Sequence, residues 1–382
     1  MKHSNLFSPI KFGTLTLKNK LVRSATHEAL ADDDGHLTEE YFKCIRRLAE
    51  GGVGLIVTGL MYPESKGKLY KAMSVENEGC IPELSKIADT VHGVNNDCRI
   101  AIQIGHTGPQ YSLKYPERVR YAPSPVVEEY TNIMPQALTL PEIESFIDAC
   151  AASIGYAQKA NIDAVQVHAA HGWLISSFLS PHTNHRTDIY GGSTENRTRI
   201  LTEIIKRAHS ITGKDYPVFV KMNACDFLLD GIEVPEALEM GKIIEDAGYV
   251  AMEVSSAMWA TINRKAEDIG WKAELIPEAR VHINTVNDEA YHREFTRIFK
   301  QNFTKSKIIL IGGLRTPSLM EDILQSGDAD LVSISRPLII EPEIPNLWFE
   351  GSEQKSACIS CNMCVHERDE KFRCPHILAK GK

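Results

Sequence analysis

VQVHAAHGWLISSFLSPHTNHRTDIYGGSTENR, residues 165–197, is the stretch whose reading decides the fold. It starts in an apolar run, AVQV over 164–167, which predicts a short buried strand. His168 and His171 follow at once. A long polar loop comes next, with Asn184, Arg186, Asp188 and a Gly191-Gly192 turn, and a helical pattern resumes near Glu195. A strand that ends in imidazoles and feeds a polar loop is how an α/β barrel presents chemistry at the C-terminal rim of its strands.

The same unit recurs on both sides of this stretch. Strands are predicted over 21–25, 54–58, 99–104, 164–167, 218–222, 252–255, 307–311 and 331–334. Helices are predicted over 39–50, 81–94, 141–160, 196–211, 235–247, 291–303 and 317–325. Most of the strands are unbroken apolar runs, as strands covered on both faces are. Eight strand units predict an α/β fold, a closed (β/α)8 TIM barrel rather than an open sheet. Residues 10–17 alternate around Gly13 and predict an N-terminal hairpin that plugs the barrel floor. The expected organisation is one barrel over 1–350 followed by a Cys-containing tail over 351–382.

Composition narrows the class. The 382 residues are 43% hydrophobic and 24% charged, the balance of a globular chain with ample core. A net charge of −8 argues against nucleic acid or an acidic membrane surface as partner. The N-terminus carries no apolar signal core and no run is long enough to span a bilayer, so the cytoplasm is the expected compartment. Nine cysteines do not imply disulfides there.

A barrel carries its chemistry just past each strand. The first strand delivers Ser24, Ala25 and Thr26, the second Thr58 and Gly59, the third Gln103 and then His106. The fifth carries Lys221 and Asn223, the sixth Ser255. The seventh runs into Gly312-Gly313-Leu314-Arg315 and the eighth into Ser335-Arg336-Pro337. A glycine turn beside a helix start offers backbone N–H groups to a phosphate, and Arg336 would add charge. The alternative is that Gly312-Gly313 is only a tight turn. His168 and His171 have three readings: structural groups at the rim, metal ligands with His106 as a third, or donors to a substrate oxygen. No Asp or Glu stands at a strand end to partner them. Lys221 at the mouth needs an anion or a ligand, unless it reaches solvent from the rim. Gln103 suits a heterocycle with mixed polar edges, or a bond to backbone.

With these residues in view, the chain resembles the Old Yellow Enzyme family of FMN-dependent NAD(P)H:flavin oxidoreductases. The likeness runs from LFSPIKFGTLTLKNKLVRSAT to IGGLRTPSLMEDILQSGDADLVSISRPLIIEP, roughly residues 6–345, and is most specific in HAAHGWLISSFLSPHTNHRTDIYGGSTENR. The resemblance implies a barrel holding non-covalent FMN, with NADH or NADPH as reductant and a small-molecule electron acceptor. It implies that Ser24, Ala25 and Thr26 line the flavin ring, that Gly59 packs beside it and that Gln103 bonds its pyrimidine edge. Lys221 would stand near N1, and Gly312, Gly313, Ser335 and Arg336 would hold the phosphate. His168 and His171 match the family's His-x-x-His/Asn pair and would donate to an acceptor's carbonyl or nitro oxygen. Activated alkenes, quinones and nitro compounds are the implied acceptors, and a homo-oligomer is expected.

Two positions depart from the family pattern. Trp173 stands where the family places a tyrosine as proton donor, and indole has no proton to give near neutral pH. Ser335 stands where glycine is usual. The tail, ACISCNMCVHERDEKFRCPH, places Cys358, Cys361, Cys364 and Cys374 in C-x2-C-x2-C…C order. That order suits a [4Fe-4S] cluster, zinc, or a remnant with free thiols. It is close to the cluster motif of the dienoyl-CoA reductases, which carry three residues between the second and third cysteines and continue into FAD- and NAD-binding domains. Three functions are therefore weighed: an FMN-dependent reductase of electron-poor acceptors, an iron–sulfur electron-transfer component, and a metal-dependent barrel lyase or hydrolase using His168 and His171.

Overall fold

The computed structural model describes residues 2–94, 97–110, 118–274, 276, 279–366 and 372–376. Residues 111–117, between the predicted strand 99–104 and the predicted helix 141–160, and residues 367–371 and 377–382 of the predicted tail lie outside the described residues.

Among the described residues, twelve strands occur in chain order. β1 (Ile10–Phe12) and β2 (Leu15–Leu17) form the N-terminal hairpin. β3 (Leu21–Arg23), β4 (Leu55–Met61) and β5 (Arg99–Ile104) begin the barrel. β6 (Tyr121–Ala122) and β7 (Gln136–Ala137) form a small separate sheet. β8 (Ala164–Ala169), β9 (Val218–Asn223), β10 (Ala251–Ser255), β11 (Lys307–Ile311) and β12 (Leu331–Ile334) complete the circle. The eight barrel strands are all parallel, and β12 pairs with β3 to close the ring. The expected (β/α)8 architecture with its hairpin is what the chain adopts.

The principal helices are α1 (Glu39–Glu50), α2 (Ile81–Val94), α3 (Leu140–Lys159), α4 (Leu174–Leu179), α5 (Thr194–Thr212) and α6 (Val234–Ala247). They continue with α7 (Ala266–Ile269), α8 (Arg293–Asn302), α9 (Pro317–Gln325), α10 (Pro337–Ile340), α11 (Ile344–Phe349) and α12 (Met363–His366). Their sequences explain their docking. In α1, Tyr41, Phe42, Ile45, Leu48 and Ala49 are buried, a stripe at helical spacing that faces the sheet. α3 starts in a capping box, where Thr139 Oγ1 accepts from the Glu142 backbone and Glu142 Oε2 accepts from the Thr139 N–H at 2.9 Å. Among the described residues, no helix is long and apolar enough to cross a membrane.

Two layers fill the barrel below its mouth. The lower is apolar: Val22, Leu55, Val57, Ala101, Ala164, Phe219, Ala251, Ile309 and Leu331 meet Phe12 and Leu17 of the hairpin. Phe12 packs edge-on against Phe219 at 5.1 Å between ring centres. The upper layer is polar and supports the site described next.

Candidate functional site

One large cavity, of about 530 Å³, opens at the C-terminal ends of the barrel strands. That is the size and place expected of a small-molecule or cofactor site in this architecture. Its floor is a buried polar network. Lys221 of β9 sits opposite both His168 of β8 and Glu253 of β10 in the sheet register. Lys221 Nζ lies 3.5 Å from Glu253 Oε2 and donates to Ser24 Oγ at 3.3 Å. The Ser24 and Ser333 hydroxyls each donate to Glu253 Oε1 at 2.7 Å. Gln166 Nε2 donates to Glu253 Oε2 at 2.9 Å, and Gln103 Nε2 donates to Gln166 Oε1 at 2.7 Å. Burial alone would push the Glu253 carboxyl up. Lys221 and the three donors outweigh it and hold the group below the usual carboxylate range.

The histidine pair stands above this floor. His168 and His171 rings are 5.3 Å apart, and His171 Nε2 is 2.7 Å from Ser255 Oγ. His168 Nδ1 is buried and has no hydrogen-bond partner among the described residues. Burial, reinforced by Lys221, pushes His168 down to about 3 and His171 well below its ordinary value. Both imidazoles are neutral at pH 7, so each carries one N–H to donate and one nitrogen to accept. Asn223 fixes His171 from below, its Oδ1 accepting from the His171 backbone N–H at 3.2 Å. Trp173 leans against His168 at 5.5 Å, and Tyr70, Tyr130 and Trp259 add an aromatic wall nearer the mouth.

At the far end the cavity meets the turns after β11 and β12. Gly313, Leu314, Ser335 and Arg336 all border it, and among the described residues their four backbone N–H groups donate to no protein acceptor. Gly313 has φ +72°, and a Cβ there would strike Ile283 and Tyr291, so the turn needs glycine to keep its shape. Unpaired N–H groups beside an arginine make an anion cradle.

The structure sorts the sequence-predicted residues as follows. Ala25, Thr26, Gln103, His168, His171, Lys221, Gly313, Ser335 and Arg336 border the one cavity. Ser24 does not; its hydroxyl is turned beneath the cavity to Glu253. Gly59 lies behind the wall. It adjoins the Glu28 carboxylate, and its N–H donates to Glu28 Oε2 at 3.2 Å. Glu28 in turn pairs with Arg23 at 2.6 Å, a buried ion pair that anchors the loop carrying Ala25 and Thr26. Gly312 packs on Tyr291 and the His292 backbone. His106 does not border the cavity: its Nδ1 accepts from the Gly108 N–H at 2.8 Å and its ring packs on Phe146. The sequence offers no Asp or Glu at a strand end to partner the histidines; the carboxylate that the site does use, Glu253, lies inside β10 and pairs with Lys221 instead. It lies two residues before Ser255 and so on the same strand face, one alternation deeper than the strand end. Gln166 stands in the same relation to His168.

Cys358, Cys361, Cys364 and Cys374 border a second, small cavity of about 20 Å³, the space of a single water. Cys361 Sγ is 3.3 Å from His376 Nε2. Among the described residues, no group of three or more His, Cys, Asp or Glu is arranged to hold a metal ion. Among the described residues, neither a cluster or zinc on these cysteines nor a metal on His168, His171 and His106 is supported. Among the described residues, no disulfide joins any of the cysteines.

A flavin mononucleotide fits the large cavity on three observations: the anion cradle at one end, the Lys221–Gln103 polar edge on the floor, and the unpartnered His168 nitrogen above it. Comparison with known proteins points the same way. The profile of the NADH:flavin oxidoreductase / NADH oxidase family matches residues 5–354. An NADH oxidase of Thermoanaerobacter brockii is 31% identical over 374 residues, 95% of this chain and 54% of that protein. A metal reductase of Desulforamulus reducens is 30% identical over 372 residues, 97% of this chain and 52% of that protein. The chain thus spans about half the length of these curated relatives. Among solved structures, a 2-naphthoyl-CoA reductase in complex with 2-naphthoyl-CoA superposes with a TM-score of 0.84 at 25% identity, over 94% of this chain and 54% of that one.

Proposed function

The chain belongs to the NADH:flavin oxidoreductase / NADH oxidase family, and on that premise we propose that it is an FMN-dependent enzyme that passes hydride from NADH or NADPH to a small electron-poor acceptor. The observation that carries this reading is the single cavity joining an anion cradle, a buried Lys221–Glu253 floor and two neutral imidazoles. FMN, when bound, supplies the hydride relay between nicotinamide and acceptor. The residues do the rest. Backbone N–H groups of Gly313, Leu314, Ser335 and Arg336, with the Arg336 side chain, hold the phosphate. Lys221 and Gln103 meet the polar edge of the ring system, and Lys221 offers a fixed positive charge where reduction adds negative charge.

His168 and His171 orient the acceptor. Because both are neutral, they act as hydrogen-bond donors rather than acids, and they polarise an acceptor carbonyl or nitro oxygen without protonating it. Trp173 excludes water beside His168 but has no proton to deliver. This favours acceptors whose reduction needs no protein proton at that position, such as quinones and nitro compounds, over simple enones. A metal centre on the C-terminal cysteines forms no part of this reading.

The test is direct. Protein made with ample riboflavin and purified without oxygen should be yellow, NADH or NADPH should bleach it, and a quinone should restore the colour. Folded protein that stays colourless and takes up no added FMN removes the proposal.

A further inference from the structure

The inference that follows rests on the flavin reading above. Two arginines approach the anion cradle, and they differ. Arg315 is committed to the protein: it donates to the Cys358 and Ile283 carbonyls and lies 3.9 Å from Glu289. Arg336 forms no ion pair with a carboxylate among the described residues. Its Nη1 donates to the Arg280 carbonyl at 3.0 Å and to Asn362 Oδ1 at 2.5 Å. One guanidinium Nη carries two protons, so both are used. Nε and Nη2 keep their donors, with no protein acceptor among the described residues, on a side chain that borders the cavity.

Asn362 comes from the C-terminal segment between Cys361 and Cys364, and it is 1% exposed. Its own Nδ2 donates to the Ala279 carbonyl at 2.7 Å and reaches the Glu274 carbonyl at 3.4 Å. Its backbone φ is +58°, a left-handed conformation that asparagine tolerates better than most residues. One buried amide thus ties together the end of β12, the segment after β10 and the tail. It fixes the rotation of a long side chain that has several soft bonds. Being neutral, it does so without taking up the charge that an Asp or Glu at this place would cancel.

We propose that Asn362 is a positioning residue for anion binding: it holds the Arg336 guanidinium turned to the cofactor phosphate with its charge unspent. The tail is then part of the cofactor site rather than an appendage to the barrel.

The experiment titrates the full-length, flavin-free chain with FMN and with riboflavin, which has the same ring system and no phosphate, following fluorescence quenching. Asn362→Gly removes the amide and keeps the left-handed backbone. It should weaken FMN about ten-fold, the worth of one hydrogen bond to a charged group, and leave riboflavin unchanged. Unchanged riboflavin binding also reports an intact fold. Asn362→Asp, which fills the same space but pairs with Arg336, should likewise weaken FMN alone. In an Arg336→Met background, Asn362→Gly should have no further effect. The proposal is overturned if both variants keep the parent FMN-to-riboflavin ratio, if the two ligands weaken equally, or if the loss persists without Arg336. A parent protein that binds neither ligand would overturn the flavin reading as well. A parent that discriminates by phosphate while the variants do too would overturn this inference alone.

Discussion

Replacing Glu253 should destabilise the protein by a large and computable amount. The carboxylate is 1% exposed and receives two serine hydroxyls at 2.7 Å, the Gln166 amide at 2.9 Å and the Lys221 ammonium at 3.5 Å. Glu253→Leu leaves Lys221 as a buried cation without a counter-charge and leaves three donors unpaired. Breaking a buried pair from one side costs about 3–5 kcal/mol, and the extra unpaired donors put this variant at the upper end. Glu253→Gln keeps the shape and one oxygen, so its loss should lie near the lower end, about 3 kcal/mol. The assay is urea denaturation of the flavin-free protein at pH 7. Adding Lys221→Met to Glu253→Leu should restore at least half of the loss, because the stranded charge goes with it. The pH dependence has a definite sign. Glu253 is held below its ordinary value, so its contribution is present above the unfolded carboxylate pKa of roughly 4.3 and is lost as pH falls through the folded value. Parent and variant should therefore converge in acid. A Glu253→Leu loss under about 1 kcal/mol, or a double variant no better than the single, would refute the claim that the pair and its donors act as one buried unit.

Three further outcomes are expected. His168 and His292 are pushed down to about 3, and His106 and His171 are lowered too, all chiefly by burial. The unfolded chain then binds more protons, and stability should fall as pH drops below about 6.5, by up to about 1.4 kcal/mol per pH unit for each histidine; a urea midpoint that holds constant from pH 7 to 5 contradicts this. Trp173→Tyr puts a phenol beside His168 and should raise enone reduction about 100-fold with little change for quinones; parallel changes for both acceptors would show that proton supply is not what the indole withholds. Gly313→Ala forces a side chain into a left-handed φ of +72°, against Ile283 and Tyr291, and should lower FMN affinity at least about ten-fold, read by fluorescence quenching.

The barrel was legible because its strands are short, unbroken apolar runs between amphipathic helices. The helices at Glu39–Glu50, Ile81–Val94 and Pro317–Gln325 fall where periodicity places them. The six-residue α4 after Trp173 was not legible, since LISSFL is too short to show a helical period and sits inside a loop pattern. The mouth residues were found by reading the ends of strands. Glu253, Gln166 and Ser333 were missed by the same rule, because each lies within its strand and faces inward one step below the rim. Ser24 and Gly59 were assigned beside the ring, yet one serves the Glu253 network and the other makes room for Glu28. Asn362 gave no signal of its own beside the conspicuous cysteines, because its use depends on folding that brings the tail back to Arg336.

The hairpin of β1 and β2 has a kinetic meaning. Phe12 and Leu17 are fully buried and stopper the barrel at the end away from the cavity. The interior is thereby a blind well. Under the proposed function, the electron donor and the acceptor would arrive by the same entrance and wait on the same floor. They would then take turns, and an excess of either one would obstruct the other.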